Sequence, residues 1–218
     1  MTGPVAAIDC GTNSIRLLVA QPGTDPSGLS DLDRRMQIVR LGEGVDRTGR
    51  LDPAALQRTF AALRDYAQVI DELGADPTRM VATSASRDAS NAEEFVAGVR
   101  AILGVAPEVI TGDEEAALSY RGATSGVPDD RAPSPRLVVD IGGGSTEFVL
   151  GQGPAVLAAR SVDIGCVRMT ERHLAGDPPT RVEVASAVAD IDAAIAAAAE
   201  VVPLEQARSI VGLAGSVT

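Results

Sequence analysis

Residues 137–149 read LVVDIGGGSTEFV: an apolar run ends on Asp140, three glycines, Ser145 and Thr146 follow, and a second apolar run begins. Glycine has no Cβ, so such a turn lets backbone N–H groups come close to a ligand. Those donors, with serine and threonine hydroxyls, suit phosphate oxygens. An acid just before the turn would repel phosphate. It makes sense with a divalent cation between them, because Mg²⁺ takes one or two carboxylates together with phosphate oxygens and waters. Gly142, Gly143, Gly144, Ser145 and Thr146 are therefore candidate phosphate ligands, and Asp140 is a candidate ligand of Mg²⁺ (or Mn²⁺), directly or through water. The competing explanation is a tight hairpin that uses glycine only for its conformational freedom.

The pattern occurs twice. DCGTNSIRLLV (9–19) parallels DIGGGSTEFVL (140–150), with Asp9 matching Asp140, Gly11 matching Gly142 and Ser14 matching Ser145. Gly11, Thr12, Asn13 and Ser14 become the corresponding phosphate candidates, and two such loops favour phosphate binding over a merely tight turn.

The elements that must hold these loops also repeat. After the first hairpin come an apolar strand MQIVRLG (36–42), a helix from Pro53 to about Leu73, and a short strand with a small-residue loop, MVATSAS (80–86). Asp52 is a suitable N-cap for that helix, Pro53 fits its first turn and Gly74 its stop, with Leu56, Phe60, Leu63, Ile70 and Leu73 as the apolar face. After the second hairpin come AVLAARSVDIG (155–165), a helix from about Arg181 to Val201, and SIVGLAGS (209–216). Thr180 and Glu183 are spaced as a capping box there, and Val184, Val188, Ile191 and Ile195 form its expected face.

The first half continues with a helix capped by Asn91 and ending at Gly104, a strand PEVI (107–110), and a helix opened by TGDEEAALSY. GVPDDRAPSPR (126–136) reads as an exposed link. The expected organisation is α/β, with one domain over 1–125, a linker over 126–136 and a second domain over 137–218. The second lacks counterparts of the last elements of the first, so it is expected to be truncated or completed by a partner.

Composition removes several classes. The 218 residues are 45 % apolar but only 2 % aromatic, so the core is built from Ala, Val, Leu and Ile. A formal charge of −11 argues against a nucleic-acid or membrane surface. There is no leader-like N-terminus and no run of about 18 apolar residues. Two cysteines are too few for a disulfide framework, so a cytoplasmic setting is expected. All 19 basic residues are arginine, which excludes a Walker A loop and a lysine Schiff base. With His173 the only histidine and no G-x-S-x-G, a serine-hydrolase triad has little support. His173 is expected to be structural, and Cys10 and Cys166 to be small buried fillers.

The paired loops resemble those of the actin/Hsp70/sugar-kinase superfamily. ATSASRDASN (82–91), TGDEEAALSYRGA (111–123) and DIGCVRMTERHL (163–174) narrow the resemblance to the exopolyphosphatase/guanosine-pentaphosphatase (Ppx/GppA) family. It implies two ribonuclease-H-like domains of mixed β-sheets flanked by helices, with an active site in the cleft between them. It also implies Mg²⁺-dependent removal of terminal phosphate from inorganic polyphosphate, or of a phosphate from guanosine pentaphosphate, a (p)ppGpp-type nucleotide. A homodimer is expected. The family's catalytic base falls on Glu115, leaving Glu114 for a capping box with Thr111. The family's arginine falls on Arg87, suited to bidentate phosphate contact. Glu147 takes the second acidic position and, with Asp9, joins Asp140 as a metal candidate. Arg121, Arg160 and Arg168 could add to a local arginine cluster. A small-molecule kinase of the superfamily and a phosphate- or nucleotide-sensing module are the competing functions.

Overall fold

The computed structural model describes residues 3–23, 28–125, 127–128 and 130–217. The chain divides into two compact units, Met1–Ile110 and Thr111–Thr218.

In the first unit the strands are β1 (Val5–Cys10), β2 (Ser14–Pro22), β3 (Leu29–Ile38), β4 (Thr78–Ala82) and β5 (Glu108–Val109). They form one sheet in the order β3-β2-β1-β4-β5. β1, β2 and β3 are a meander, whereas β4 lies parallel to β1 and β5 parallel to β4. The helices are α1 (Val45–Thr48), α2 (Pro53–Leu73), α3 (Ser84–Asp88) and α4 (Ala92–Leu103). α2 has the expected boundaries: Asp52 accepts hydrogen bonds from the Ala54 and Ala55 amides, and Gly74 closes the helix in the left-handed conformation. Leu56, Leu63 and Ile70 are buried in one core with Ile8, Ile15, Leu17, Met80 and Phe95.

The second unit opens with α5 (Gly112–Thr124), followed by β6 (Arg136–Ile141), β7 (Thr146–Gln152), β8 (Ala155–Val162), α6 (Cys166–His173), α7 (Arg181–Ala199), a short 3-10 turn and β9 (Ser209–Leu213). Its sheet order, β8-β7-β6-β9, repeats β3-β2-β1-β4. Alternation puts Leu137, Phe148 and Leu150 on the α6 and α7 side, and Val138 and Val149 on the α5 side with Ala116 and Tyr120.

The duplication extends to register. Asp9 pairs with Arg16 as Asp140 pairs with Glu147, and both hairpins close on four-residue turns. In each, the first turn residue donates to the carbonyl of the fourth: Gly11 to Ser14 and Gly142 to Ser145, both at 3.0 Å. A bulge falls between Val19 and Ala20 and again at the matching Leu150 and Gly151. This is the doubled α/β architecture that the resemblance implied.

Four expectations are corrected. The third strand covers Leu29–Ile38 rather than 36–42. It is an edge strand exposed along much of its length, so hydrophobicity does not mark it. The apolar stretch after it leaves the sheet, because the Val39 and Arg40 amides bond to the Asn13 carbonyl instead of a strand. In α7 the buried or half-buried stripe is Ala187, Ile191, Ala194 and Ala198, while Val184, Val188 and Ile195 are exposed. Both stripes have helical period, so periodicity cannot choose between them. Cys166 is exposed, unlike buried Cys10. Finally, α5, grouped with the first domain in the expected 1–125, packs on the second sheet, so the division falls between Ile110 and Thr111. The expected link at 126–136 contains Gly126 and Asp129, which lie outside the described residues, and its described part is irregular up to β6.

Candidate active site

In the second unit the site grows from one row across three strands. Asp140 on β6 is directly opposite Glu147 on β7, and Glu147 is directly opposite Ser161 on β8. Directly opposed residues share a sheet face with Cβ atoms about 5 Å apart. The Ser161 hydroxyl donates to Glu147 Oε1 at 2.8 Å. Ser119, on α5, donates to Asp140 Oδ2 at 2.7 Å. At its other end α5 lies against β8, since a Cβ on Gly112 would stand 2.8 Å from that of Ser161. Gly112, Glu115 and Ser119 are three and four residues apart, hence on one helical stripe. Glu115 is half-buried and, by helical spacing, falls between these two anchor points on the α5 stripe. Its neighbour Glu114 is spent on the capping box: its carboxylate accepts from the Thr111 amide at 2.9 Å, and Thr111 Oγ1 accepts from the Glu114 amide.

Glu147 is only 1 % exposed. Two facing carboxylates, one of them buried, call for hydroxyl donors and a cation to offset their repulsion and desolvation. No group of three or more His, Cys, Asp or Glu side chains suited to a metal occurs among the described residues. An ion such as Mg²⁺ takes one or two carboxylates and leaves other positions to water and phosphate.

The glycine turn lies at the end of the same hairpin. Gly142 and Gly143 are half-buried, and Gly144, Ser145 and Thr146 are buried. The Thr146 hydroxyl is already donated to the Ile164 carbonyl, so it anchors the turn. The segment entering α6 braces the turn from behind. The Cys166 amide donates to Gly142, the Val167 amide to Gly143, and Arg168 Nε to the Gly144 carbonyl at 2.8 Å. A Cβ on Gly165 would stand 2.4 Å from the Gly143 carbonyl group, so only glycine permits this approach.

The first unit builds the matching turn, Gly11–Ser14, braced by the Gly42 amide on the Thr12 carbonyl at 2.8 Å. The Thr12 and Ser84 hydroxyls share a 2.7 Å hydrogen bond. Gly11, Asn13 and Ser14 are half-buried, and Thr12 is buried. Where the second unit has an acid pair, Asp9 faces an arginine: Arg16 Nη1 lies 2.9 Å from Asp9 Oδ2. A guanidinium on that carboxylate weakens Asp9 as a cation ligand. Burial, with help from the Asp9 charge, pushes the Cys10 thiol pKa far up, so Cys10 stays a protonated filler. Arg87, in α3, donates Nη1 to the Ile110 carbonyl at 2.9 Å and is half-buried.

Sequence reasoning missed Ser84, Ser119 and Ser161, which position candidate ligands. Ser119 was within reach, because it lies one turn beyond Glu115. Arg168 braces the second turn through its carbonyl; Arg121 and Arg160 are exposed. His173 is structural, joining α6 to α7 through Asp190 at 2.9 Å. Among the described residues no helix is long and apolar enough to cross a membrane.

The Ppx/GppA phosphatase family model matches residues 19–218. Exopolyphosphatase 2 of Mycobacterium tuberculosis is 52 % identical over 221 residues, which cover 98 % of this chain and 68 % of that protein. A solved exopolyphosphatase-like protein superposes with a TM-score of 0.94 at 50 % identity, over 99 % of this chain and 67 % of that one. The exopolyphosphatase of Cytophaga hutchinsonii superposes at 0.86 with 28 % identity, over 98 % and 67 %. With its duplicated hairpins and the acid row beneath α5, the chain belongs to the Ppx/GppA phosphatase family.

Proposed function

We propose that this protein is an exopolyphosphatase that hydrolyses the terminal phosphoric anhydride of inorganic polyphosphate. The observation that supports the reading is the facing Asp140–Glu147 pair at the Gly142–Ser145 turn, with Glu115 on the α5 stripe that carries Gly112 and Ser119. Glu115 orients a water and takes its proton as the water oxygen attacks the terminal phosphorus. The bond from that phosphorus to its bridging oxygen breaks, and the shortened chain leaves with the electron pair. Turn groups of each unit, Thr12–Ser14 and Gly143–Ser145, suit phosphate oxygens, as does the Arg87 guanidinium, while the Gly11 and Gly142 amides stay on the Ser14 and Ser145 carbonyls. Asp140 and Glu147 would hold Mg²⁺, with Ser119 and Ser161 setting their carboxylates. Once bound, the ion neutralises phosphate charge that an acidic protein would otherwise repel. Relatives named exopolyphosphatase support this substrate.

The test is phosphate release from long-chain polyphosphate with Mg²⁺, comparing wild type with Glu115→Gln. A fall in kcat of about 10²-fold or more, with substrate binding retained, is expected for loss of a general base. Equal turnover in the two proteins would remove Glu115 from the reaction. Competition by guanosine pentaphosphate distinguishes the nucleotide substrate from the polymer.

A further inference from the structure

Three arginines, Arg47, Arg50 and Arg58, line a cavity of about 510 Å³ in the first unit, between α1 and the start of α2. It is an open surface hollow rather than an enclosed cleft. Against the two acids Glu43 and Asp52 the three arginines leave the lining with one net positive charge, in a chain of net charge −11. The two acids of the lining are already committed. Asp52 accepts from the Ala54 and Ala55 amides at 2.8 and 3.3 Å, and so also closes off the end of α2 as an anion site. Glu43 is bound to Arg58 at 2.7 Å, and Arg58 also donates Nε to the Val39 carbonyl. Arg58 is thus a wall of the cavity. Arg50 has only a long 3.5 Å contact with Glu94, and Arg47 has no ion pair among the described residues. The cavity begins at Glu43, the residue after Gly42, whose amide holds the Thr12 carbonyl of the first turn.

We propose that this cavity is an accessory anion site that takes internal phosphates of a linear polyphosphate chain through Arg47 and Arg50. The proposal rests on the substrate reading above. Internal phosphates each carry a negative charge at regular spacing, and guanidinium forks match phosphate oxygens. Because both arginines are exposed, the gain is modest per contact and falls with salt.

The test is the double variant Arg47→Ala/Arg50→Ala, with Arg79→Ala as a control for general loss of positive charge. KM for long-chain polyphosphate should rise about 3- to 10-fold with kcat unchanged, while KM for tripolyphosphate stays at the wild-type value. In a Glu115→Gln background, equilibrium affinity for long-chain polyphosphate should fall by the same factor, with a shallower salt dependence. An unchanged long-chain KM and affinity overturn the site, as does an equal loss for tripolyphosphate or an equal loss in the Arg79 control. If wild type shows no turnover, the hydrolytic reading fails, and the binding measurement with long-chain polyphosphate still decides this site.

Discussion

Gly165→Ala isolates the packing that holds the second glycine turn. Gly165 has φ −137° and ψ 161°, ordinary extended backbone that alanine adopts without strain. Only space opposes the new methyl. It would sit 2.4 Å from both the carbonyl carbon and oxygen of Gly143 and 2.5 Å from the Gly144 nitrogen, whereas ordinary contact begins at 3.4 Å. The obstructing atoms are backbone, so no side chain can rotate away, and the turn or the α6 entry must move by about 1 Å. Overpacking of this kind costs about 1–3 kcal/mol, or a fall in Tm of about 2–12 °C for a chain of this size. The displaced atoms include the Gly144 amide, one of the proposed phosphate donors, so phosphate release should fall more steeply than stability, by about 10²-fold for a 1 Å misplacement. Gly122→Ala is the control. It lies inside α5 with nothing within 4 Å of the added carbon, and should stabilise by about 1 kcal/mol through helix propensity. The assay is thermal unfolding of both variants with phosphate release at a temperature where each is folded. A Gly165→Ala protein with wild-type Tm and turnover would refute the packing of this segment on the turn.

Tyr66→Phe should destabilise by about 1–2 kcal/mol in denaturant unfolding, because the buried Tyr66 hydroxyl donates to the Ile15 carbonyl at 3.0 Å. Burial pushes the phenol pKa from 10 to about 12, so the fold favours the neutral form. The wild type should lose stability as pH rises from about 10 through 12, a component absent from the phenylalanine variant. Hydrogen bonds from the Thr180 amide and hydroxyl, then the Gly176 and Ala175 amides, hold Glu183 below its usual 4.5. A depressed carboxylate stabilises above its unfolded pKa and loses that contribution as pH falls through the folded value. The Tm gap between wild type and Glu183→Gln should therefore be present at neutral pH and close at acid pH, and parallel Tm curves would exclude the capping role.

Much of the site was legible because its signals are local. Paired D-x-G segments, the capping boxes at Thr111 and Thr180, and the stop at Gly74 each depend on residues within a few positions of one another. The structure reproduces the caps and the stop as hydrogen bonds. The serines at 84, 119 and 161 were not legible, because serine is common and its partners lie 72, 21 and 14 residues away. The same limit explains α7, where two helical stripes compete and only packing on the second sheet selects the alanines.

From residue type and short spacing came the duplication, the glycine turns and Asp140 with its phosphate chemistry, while the roles of Glu115 and Glu147 came from the resemblance to the Ppx/GppA family. Tertiary structure decided which sheet carries α5, that Asp140, Glu147 and Ser161 stand in one cross-strand row, and that Arg16 neutralises Asp9 where the second unit has a second acid. The physical reason is range: caps and turns are settled by the nearest few residues, whereas strand register and helix docking are settled by burying apolar faces that meet only when distant segments come together.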